Sequence, residues 1–247
     1  MRRLKRLAVI GVGLVGGSFA LALRRAGAVA SVAGYDRDAQ ALEHAAALGV
    51  IDTACASASE AAKGAELVVV AVPVRAIGPV LHDVALTIDP AAVVTDVGST
   101  KGDVVRVAET ELRERFPRFV PGHPIAGREA SGVESAVPDL FRAARVVLTP
   151  TPSTAPDALE LVKGCWEAVG GRIATMAASN TCRWSSCRSP GNGMSTVSGF
   201  TLRLMRSLNT VLSLCSGITC NVVTGRSRKS SSFTPSTFAA FFASART

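Results

Sequence analysis

The 247-residue sequence lacks any apolar run long enough to cross a membrane, because a spanning helix needs about 20 consecutive apolar residues. Its start is rich in arginine and lysine, as in a secretory signal, but the apolar stretch that follows is soon broken by glycines and has no small-residue cleavage site. We therefore expect no membrane association and a cytoplasmic protein.

Acidic residues are absent after Glu167, although the chain continues to Thr247. The sequence carries 27 basic and 19 acidic side chains, and its net charge of +8 equals the number of basic residues from Ser179 onward. A folded domain normally carries charges of both signs, so the basic excess belongs to the tail and does not indicate a nucleic-acid-binding domain. Composition thus divides the chain into a domain of residues 1–177 and an irregular or poorly ordered tail of residues 178–247.

The first 177 residues alternate apolar runs with helical patterns. The predicted strands are residues 6–10, 31–35, 66–72, 91–96, 119–121, 145–149 and 172–176. The predicted helices are residues 15–25, 39–48, 76–86, 102–115 and 156–169. The third and fourth strands show no polar alternation, as expected for parallel strands buried on both faces. This order indicates an α/β fold with a doubly wound, Rossmann-type, mostly parallel sheet.

A glycine-rich turn directly follows the first strand and opens the first helix. Its G-x-G-x-x-G pattern places Gly11, Gly13 and Gly16 around Leu14 and Val15. The first glycine permits the tight turn, the second lets a pyrophosphate approach the backbone, and the third allows close helix–strand packing. Free N–H groups at the helix start favour a phosphate anion. The turn therefore predicts dinucleotide binding.

An acidic residue stands where that interpretation requires one. Asp36 lies twenty residues beyond Gly16, at the end of the second predicted strand. A carboxylate there accepts hydrogen bonds from a ribose 2′-OH and repels a 2′-phosphate, which favours NAD over NADP. The neighbouring Arg37 softens that preference, so NADP stays open as an alternative.

Two further segments carry a more specific signal. Residues 96–102 (DVGSTKG) follow a buried strand, and residues 122–127 (GHPIAG) follow the next one. With the glycine turn and Val72-Pro73, they resemble the prephenate/arogenate dehydrogenase family in order and spacing, over roughly residues 7–176.

That resemblance implies an NAD-dependent oxidative decarboxylation of prephenate or arogenate, a step of tyrosine biosynthesis, by a protein that forms a homodimer. It places the catalytic histidine at His123 and a serine that orients it at Ser99. Val72 and Pro73 then line the cofactor cleft. No metal is implied.

Each of these residues also has a simpler structural interpretation. His123 precedes a proline in a turn and would be a solvated loop residue without the surrounding motif. Ser99 is also a candidate N-cap for the helix from Gly102. We interpret four other side chains as surface groups: Lys101, which we prefer to regard as a solvated charge, Arg128, and the histidines at positions 44 and 82.

The tail departs from the family. The resemblance implies a helical C-terminal domain that supplies the dimer interface and a basic residue for the substrate carboxylates, but residues 178–247 contain no histidine and no acid. We hypothesise that this tail is translated from a shifted reading frame and that the chain is impaired. A zinc site at Cys182, Cys187, Cys215 and Cys220 and a basic nucleic-acid arm are less favoured.

Two other functions compete with the leading interpretation. One is another NAD-dependent dehydrogenase of β-hydroxy acids, which shares the glycine turn but not the HPIAG segment. The other is a nucleotide-binding module without turnover.

Overall fold

The computed structural model of the chain describes residues 2–127 and 130–176. The strands in these residues are β1 (Leu4–Ile10), β2 (Val29–Tyr35), β3 (Thr53–Ala54), β4 (Leu67–Val70), β5 (Val93–Asp96), β6 (Phe119–Val120), β7 (Gly122–Ile125), β8 (Arg145–Leu148) and β9 (Arg172–Thr175). The helices are α1 (Leu14–Arg25), α2 (Ala39–Ala47), α3 (Ala58–Ala62), α4 (Ile77–Ala85), α5 (Lys101–Leu112) and α6 (Pro156–Ala168). The tail interpretations and Arg128 lie outside the described residues.

The first six strands form one parallel sheet in the order β3-β2-β1-β4-β5-β6. All four side chains of β4 are buried, because helices cover the sheet on both faces. The strand order reverses between β1 and β4, and such a reversal opens a ligand-binding crevice outside the carboxyl ends of the strands. The Rossmann-type prediction is confirmed.

A second sheet contains β7, β8 and β9, which the sequence did not separate from the first. β7 runs antiparallel to β8, and β8 runs parallel to β9. The interpretation of His123 as part of a turn is wrong, since this residue lies in β7 opposite Val147. β7 is an edge strand, and an edge tolerates Pro124, which has no N–H to donate. A strand therefore holds the candidate catalytic histidine.

Apolar side chains pack on the two faces of the main sheet as two clusters. In the first, Trp166 of α6 contacts Phe19 of α1 and Phe141, with ring centroids 4.4 and 5.1 Å apart. All three rings are buried. Their packing holds α6 and the segment before β8 against α1. The second cluster lies under α3, α4 and α5.

Two short elements, β3 and α3, were not predicted. Ser57 caps α3 by accepting a hydrogen bond from the Glu60 N–H at 3.0 Å, and Glu60 accepts one from the Ala56 N–H at 2.7 Å. This Ser-x-x-Glu pattern is a sequence signal for a helix start, and it would have revealed α3. In the described part of the chain, no helix has the length and apolar character to span a membrane.

Candidate active site

The glycine turn between β1 and α1 is shaped by backbone contacts. Gly11 has a φ of +94°, and a Cβ on it would lie 2.5 Å from the carbonyl oxygen of Ala71. A Cβ on Gly16 would lie 2.1 Å from the carbonyl oxygen of Gly11. A Cβ on Gly13 would meet nothing within 4 Å. Gly11 and Gly16 are therefore required by the fold, whereas Gly13 leaves open space in front of the turn.

The start of α1 suits an anion. Gly13 is its N-cap and provides no side-chain hydrogen bond, and the first turn, which begins with Leu14 and Val15, holds no acidic residue. The N–H groups at a helix start and the positive end of the helix dipole attract phosphate. The open space at Gly13 gives a pyrophosphate access to them.

Asp36 lies beside the glycine turn, one residue beyond β2. One carboxylate oxygen accepts a hydrogen bond from the Val12 N–H at 3.0 Å, and the other accepts one from the Asp38 N–H at 3.0 Å. The carboxylate is half-buried, whereas Arg37 is exposed. A negative charge is thus fixed next to the turn that would hold a dinucleotide.

Val72 and Pro73 follow β4, which lies next to β1 in the main sheet. Ile10 and Val70 pair at the ends of β1 and β4, so the segments that follow these two strands start next to each other. Val72 Cγ1 lies 3.2 Å from the position of a Cβ on Gly11. Val72 therefore borders the space next to the glycine turn.

Lys101 is not the surface charge that we preferred from the sequence. Its side chain is 6% exposed, and its ammonium lies 2.6 Å from Oδ2 of the fully buried Asp96. Burial lowers the pKa of Lys101, and the attraction of Asp96 opposes that effect. A signal was present in the sequence: a carboxylate at the end of a buried strand almost always needs a partner, and Lys101 is a nearby cation.

His123 is half-buried in β7. Burial first, and the positive charge of Lys101 second, lower the pKa of its imidazole, although the Val97 carbonyl and Asp96 act in the opposite sense. The imidazole is therefore neutral at neutral pH. Its Nδ1 lies 3.5 Å from the Val97 carbonyl oxygen, the long limit of a hydrogen bond. A proton on Nδ1 leaves Nε2 as a hydrogen-bond acceptor.

Ser99 lies exposed in the bend between β5 and α5. It is not the N-cap of α5, since that position is Thr100, which makes no side-chain capping hydrogen bond. Within residues 2–127 and 130–176, no hydrogen bond joins the Ser99 hydroxyl to His123. The two residues are connected through the backbone, because Val97, which contacts the imidazole, lies two positions before Ser99.

The other two histidines are exposed, as predicted. His44 and His82 have side chains 60% and 64% exposed, and they lie 2.7 and 3.1 Å from carboxylate oxygens of Glu134 and Glu111. No cluster of potential metal ligands occurs in the part of the chain that the structure describes. The candidate chemistry is concentrated at His123.

A surface hollow of about 490 Å³ lies beside α6 and contains none of these residues. Its lining includes three carboxylates, those of Asp157, Glu160 and Glu167, and the single guanidinium of Arg2. An excess of negative charge disfavours an anionic dinucleotide. The crevice at the glycine turn therefore remains the better cofactor site.

The chain is similar to several enzymes. It is 34% identical to the cyclohexadienyl dehydrogenase of Zymomonas mobilis over 71% of this chain and 59% of that protein. The crystal structure of Aquifex aeolicus prephenate dehydrogenase with hydroxyphenyl propionate and NAD⁺ matches at 38% identity with a TM-score of 0.65, over 70% of this chain and 60% of that chain. Synechocystis arogenate dehydrogenase matches at 31% identity and a TM-score of 0.65, over 71% and 61%.

The chain spans about three fifths of the length of these relatives. Residues 19–175 match the nucleotide-binding domain of prephenate dehydrogenase. The chain therefore belongs to the prephenate dehydrogenase family, through the NAD-binding domain of that family.

Proposed function

We propose that this chain carries the cofactor site and the catalytic base of a dehydrogenase that converts prephenate to 4-hydroxyphenylpyruvate in tyrosine biosynthesis. The observation that carries the proposal is the half-buried, neutral His123 next to the carboxyl end of β5, in a chain whose glycine turn fits a dinucleotide. Arogenate, whose product is tyrosine, is the alternative substrate.

NAD, when bound, supplies the hydride acceptor. The N–H groups of Gly13, Leu14 and Val15 would hold the pyrophosphate, and Asp36 would accept a hydrogen bond from the ribose hydroxyl. Its charge favours NAD over NADP, while the exposed Arg37 leaves NADP as a weaker ligand. Val72 and Pro73 form the apolar wall of the cleft.

His123 acts as the general base. Nε2 accepts the proton of the ring hydroxyl while the C–H bond at the same carbon delivers hydride to the cofactor. The ring carboxylate then leaves as CO₂, and its electron pair completes the aromatic ring. The oxygen regains a proton and becomes the phenol, so the imidazole returns to its neutral form. The exposed Ser99 hydroxyl, which makes no hydrogen bond to His123 in the described residues, would orient the ring hydroxyl of the bound substrate and, through it, the imidazole.

The remainder of the site belongs to a domain whose motifs residues 178–247 do not carry. We propose that this domain supplies the substrate-carboxylate ligands and the homodimer interface, and that the tail arises from a shifted reading frame. Turnover by this chain is then weak, because positioning of the substrate contributes several kcal/mol to lowering a barrier.

Replacing the base tests this proposal. In a chimera of this chain with the C-terminal domain of a relative, we expect His123→Asn to lower kcat by about 10²–10⁴-fold, because general-base catalysis contributes that much. NAD affinity should stay the same. The measurement is NADH absorbance with prephenate or arogenate, together with product identification.

His82→Asn is the matched control, because it replaces an exposed histidine outside the crevice, and it should leave the rate unchanged. Equal rates for the His123→Asn variant and the unaltered chimera would refute the assignment of the base. NAD binding without turnover of either substrate would favour a nucleotide-binding module.

A further inference from the structure

Lys101 and Asp96 hydrogen-bond to both backbone groups of Gly122, the residue that precedes His123. The Lys101 ammonium donates to the Gly122 carbonyl oxygen as well as to Asp96 Oδ2. The other oxygen of Asp96 accepts from the Gly122 N–H at 3.2 Å, and Oδ2 also accepts from the Gly98 N–H at 2.8 Å. The ion pair thus joins the end of β5, the start of α5 and the start of β7.

This arrangement connects the two sheets at the catalytic edge. Asp96 ends β5 of the main sheet, whereas Gly122 begins β7 of the small sheet. A Cβ on Gly122 would lie 3.0 Å from the Asp96 carbonyl oxygen, so the strands approach closely there. The side chain of His123, one residue further, is set by this junction.

Stability alone is a weak explanation for the pair. Removing two charges from water costs several kcal/mol each, and apolar residues of similar size often stabilise a fold equally well or better. This buried ion pair also hydrogen-bonds to the N–H and the carbonyl oxygen of Gly122, which indicates that it positions this residue. Its charge also lies where it repels a protonated His123.

We propose that Lys101 is a positioning residue for His123: through Asp96 and Gly122 it fixes the imidazole at the edge of β5, beside the Lys101–Asp96 ion pair. This inference rests on the proposed role of His123. The charged groups that act on this imidazole are Lys101, which disfavours the imidazolium, and Asp96, which favours it less strongly.

The experiment is an NMR titration of the histidine C2–H resonances in the full chain, which has three histidines. We expect Lys101→Met to move the His123 midpoint to higher pH, because the repelling ammonium is lost and Asp96 remains. His44 and His82 should titrate as before. Lys63→Met, which removes an exposed cation, is the control and should shift no histidine.

Lys101→Met leaves a buried carboxylate unpaired and is at risk of unfolding. The double variant Asp96→Asn/Lys101→Met leaves no buried charge at this junction. We expect a smaller upward shift of the His123 midpoint, because the repulsion from Lys101, the stronger influence on the imidazolium, is removed together with the weaker attraction of Asp96. An unchanged His123 midpoint in either folded variant overturns the proposal, since a purely structural lysine would lower only the melting temperature.

Turnover gives a second readout in the domain-restored chimera. The acid limb of the kcat profile should move to higher pH in Lys101→Met, while KM for NAD stays the same. An acid limb that does not move would also contradict the proposal. The two proposals fail separately: a histidine shift without any effect of His123→Asn on turnover refutes the base assignment, not the coupling.

Discussion

At His123 the two largest influences act in the same direction: burial disfavours the imidazolium, and the ammonium of Lys101 repels it. The lowered pKa keeps the base form present at lower pH than an exposed histidine would allow. Base-dependent turnover is therefore expected to persist into mildly acidic solution and to fall as the pH drops through the lowered pKa. The exposed His44 and His82 contribute nothing to this behaviour.

At the same scale, we expect the Asp36 carboxylate to set the preference for NAD over NADP. Asp36→Asn removes a negative charge beside the glycine turn but keeps an oxygen that can accept from the Val12 N–H. We expect the ratio of NAD to NADP affinity to fall about tenfold, equivalent to about 1.4 kcal/mol, because the repulsion of the 2′-phosphate is lost. Calorimetric titration with both cofactors measures it.

Asp83→Asn, an exposed position on α4, controls for the change in net charge. An unaltered NAD-to-NADP ratio in Asp36→Asn would show that the carboxylate does not face the ribose.

Within the turn from β1 to α1, we expect Gly16 to matter for stability and Gly13 to matter for cofactor binding. Gly16→Ala is expected to destabilise the fold by about 2 kcal/mol, as overpacking does, because its Cβ would lie 2.1 Å from a backbone oxygen. Gly13→Ala places its Cβ in open space, so the melting temperature should stay the same while NAD affinity falls about tenfold or more through loss of backbone access. Thermal unfolding and NAD titration of both variants test this contrast.

The loss of stability in Gly16→Ala and the loss of NAD affinity in Gly13→Ala should occur independently of each other. NAD affinity unchanged in Gly13→Ala would mean that the pyrophosphate does not approach this turn.

Periodicity predicted five of the six strands of the main sheet and missed the two-residue β3. β4 and β5 are buried as predicted, and α6 starts at Pro156 as its proline indicated. In the small sheet, β8 and β9 were predicted as strands, whereas β7 was missed because it is short and a His-Pro sequence is typical of turns. Lys101 was misjudged for a related reason: its burial depends on Asp96 and Gly122, which only the folded chain brings together.

At the scale of the whole molecule, the described residues form a Rossmann-type sheet and a small second sheet. The chain spans about three fifths of the length of these relatives, and the substrate-carboxylate ligands and dimer interface that we propose are assigned to none of the described residues. We propose that, within the described residues, the dinucleotide crevice and His123 belong to a single site.

An NAD titration of the full chain, followed through the three histidine C2–H resonances, tests that claim most directly. We predict that NAD shifts the His123 resonance in a saturable way and leaves those of His44 and His82 in place. Binding of NAD without a shift at His123, or with a shift at His44 or His82 instead, would contradict it.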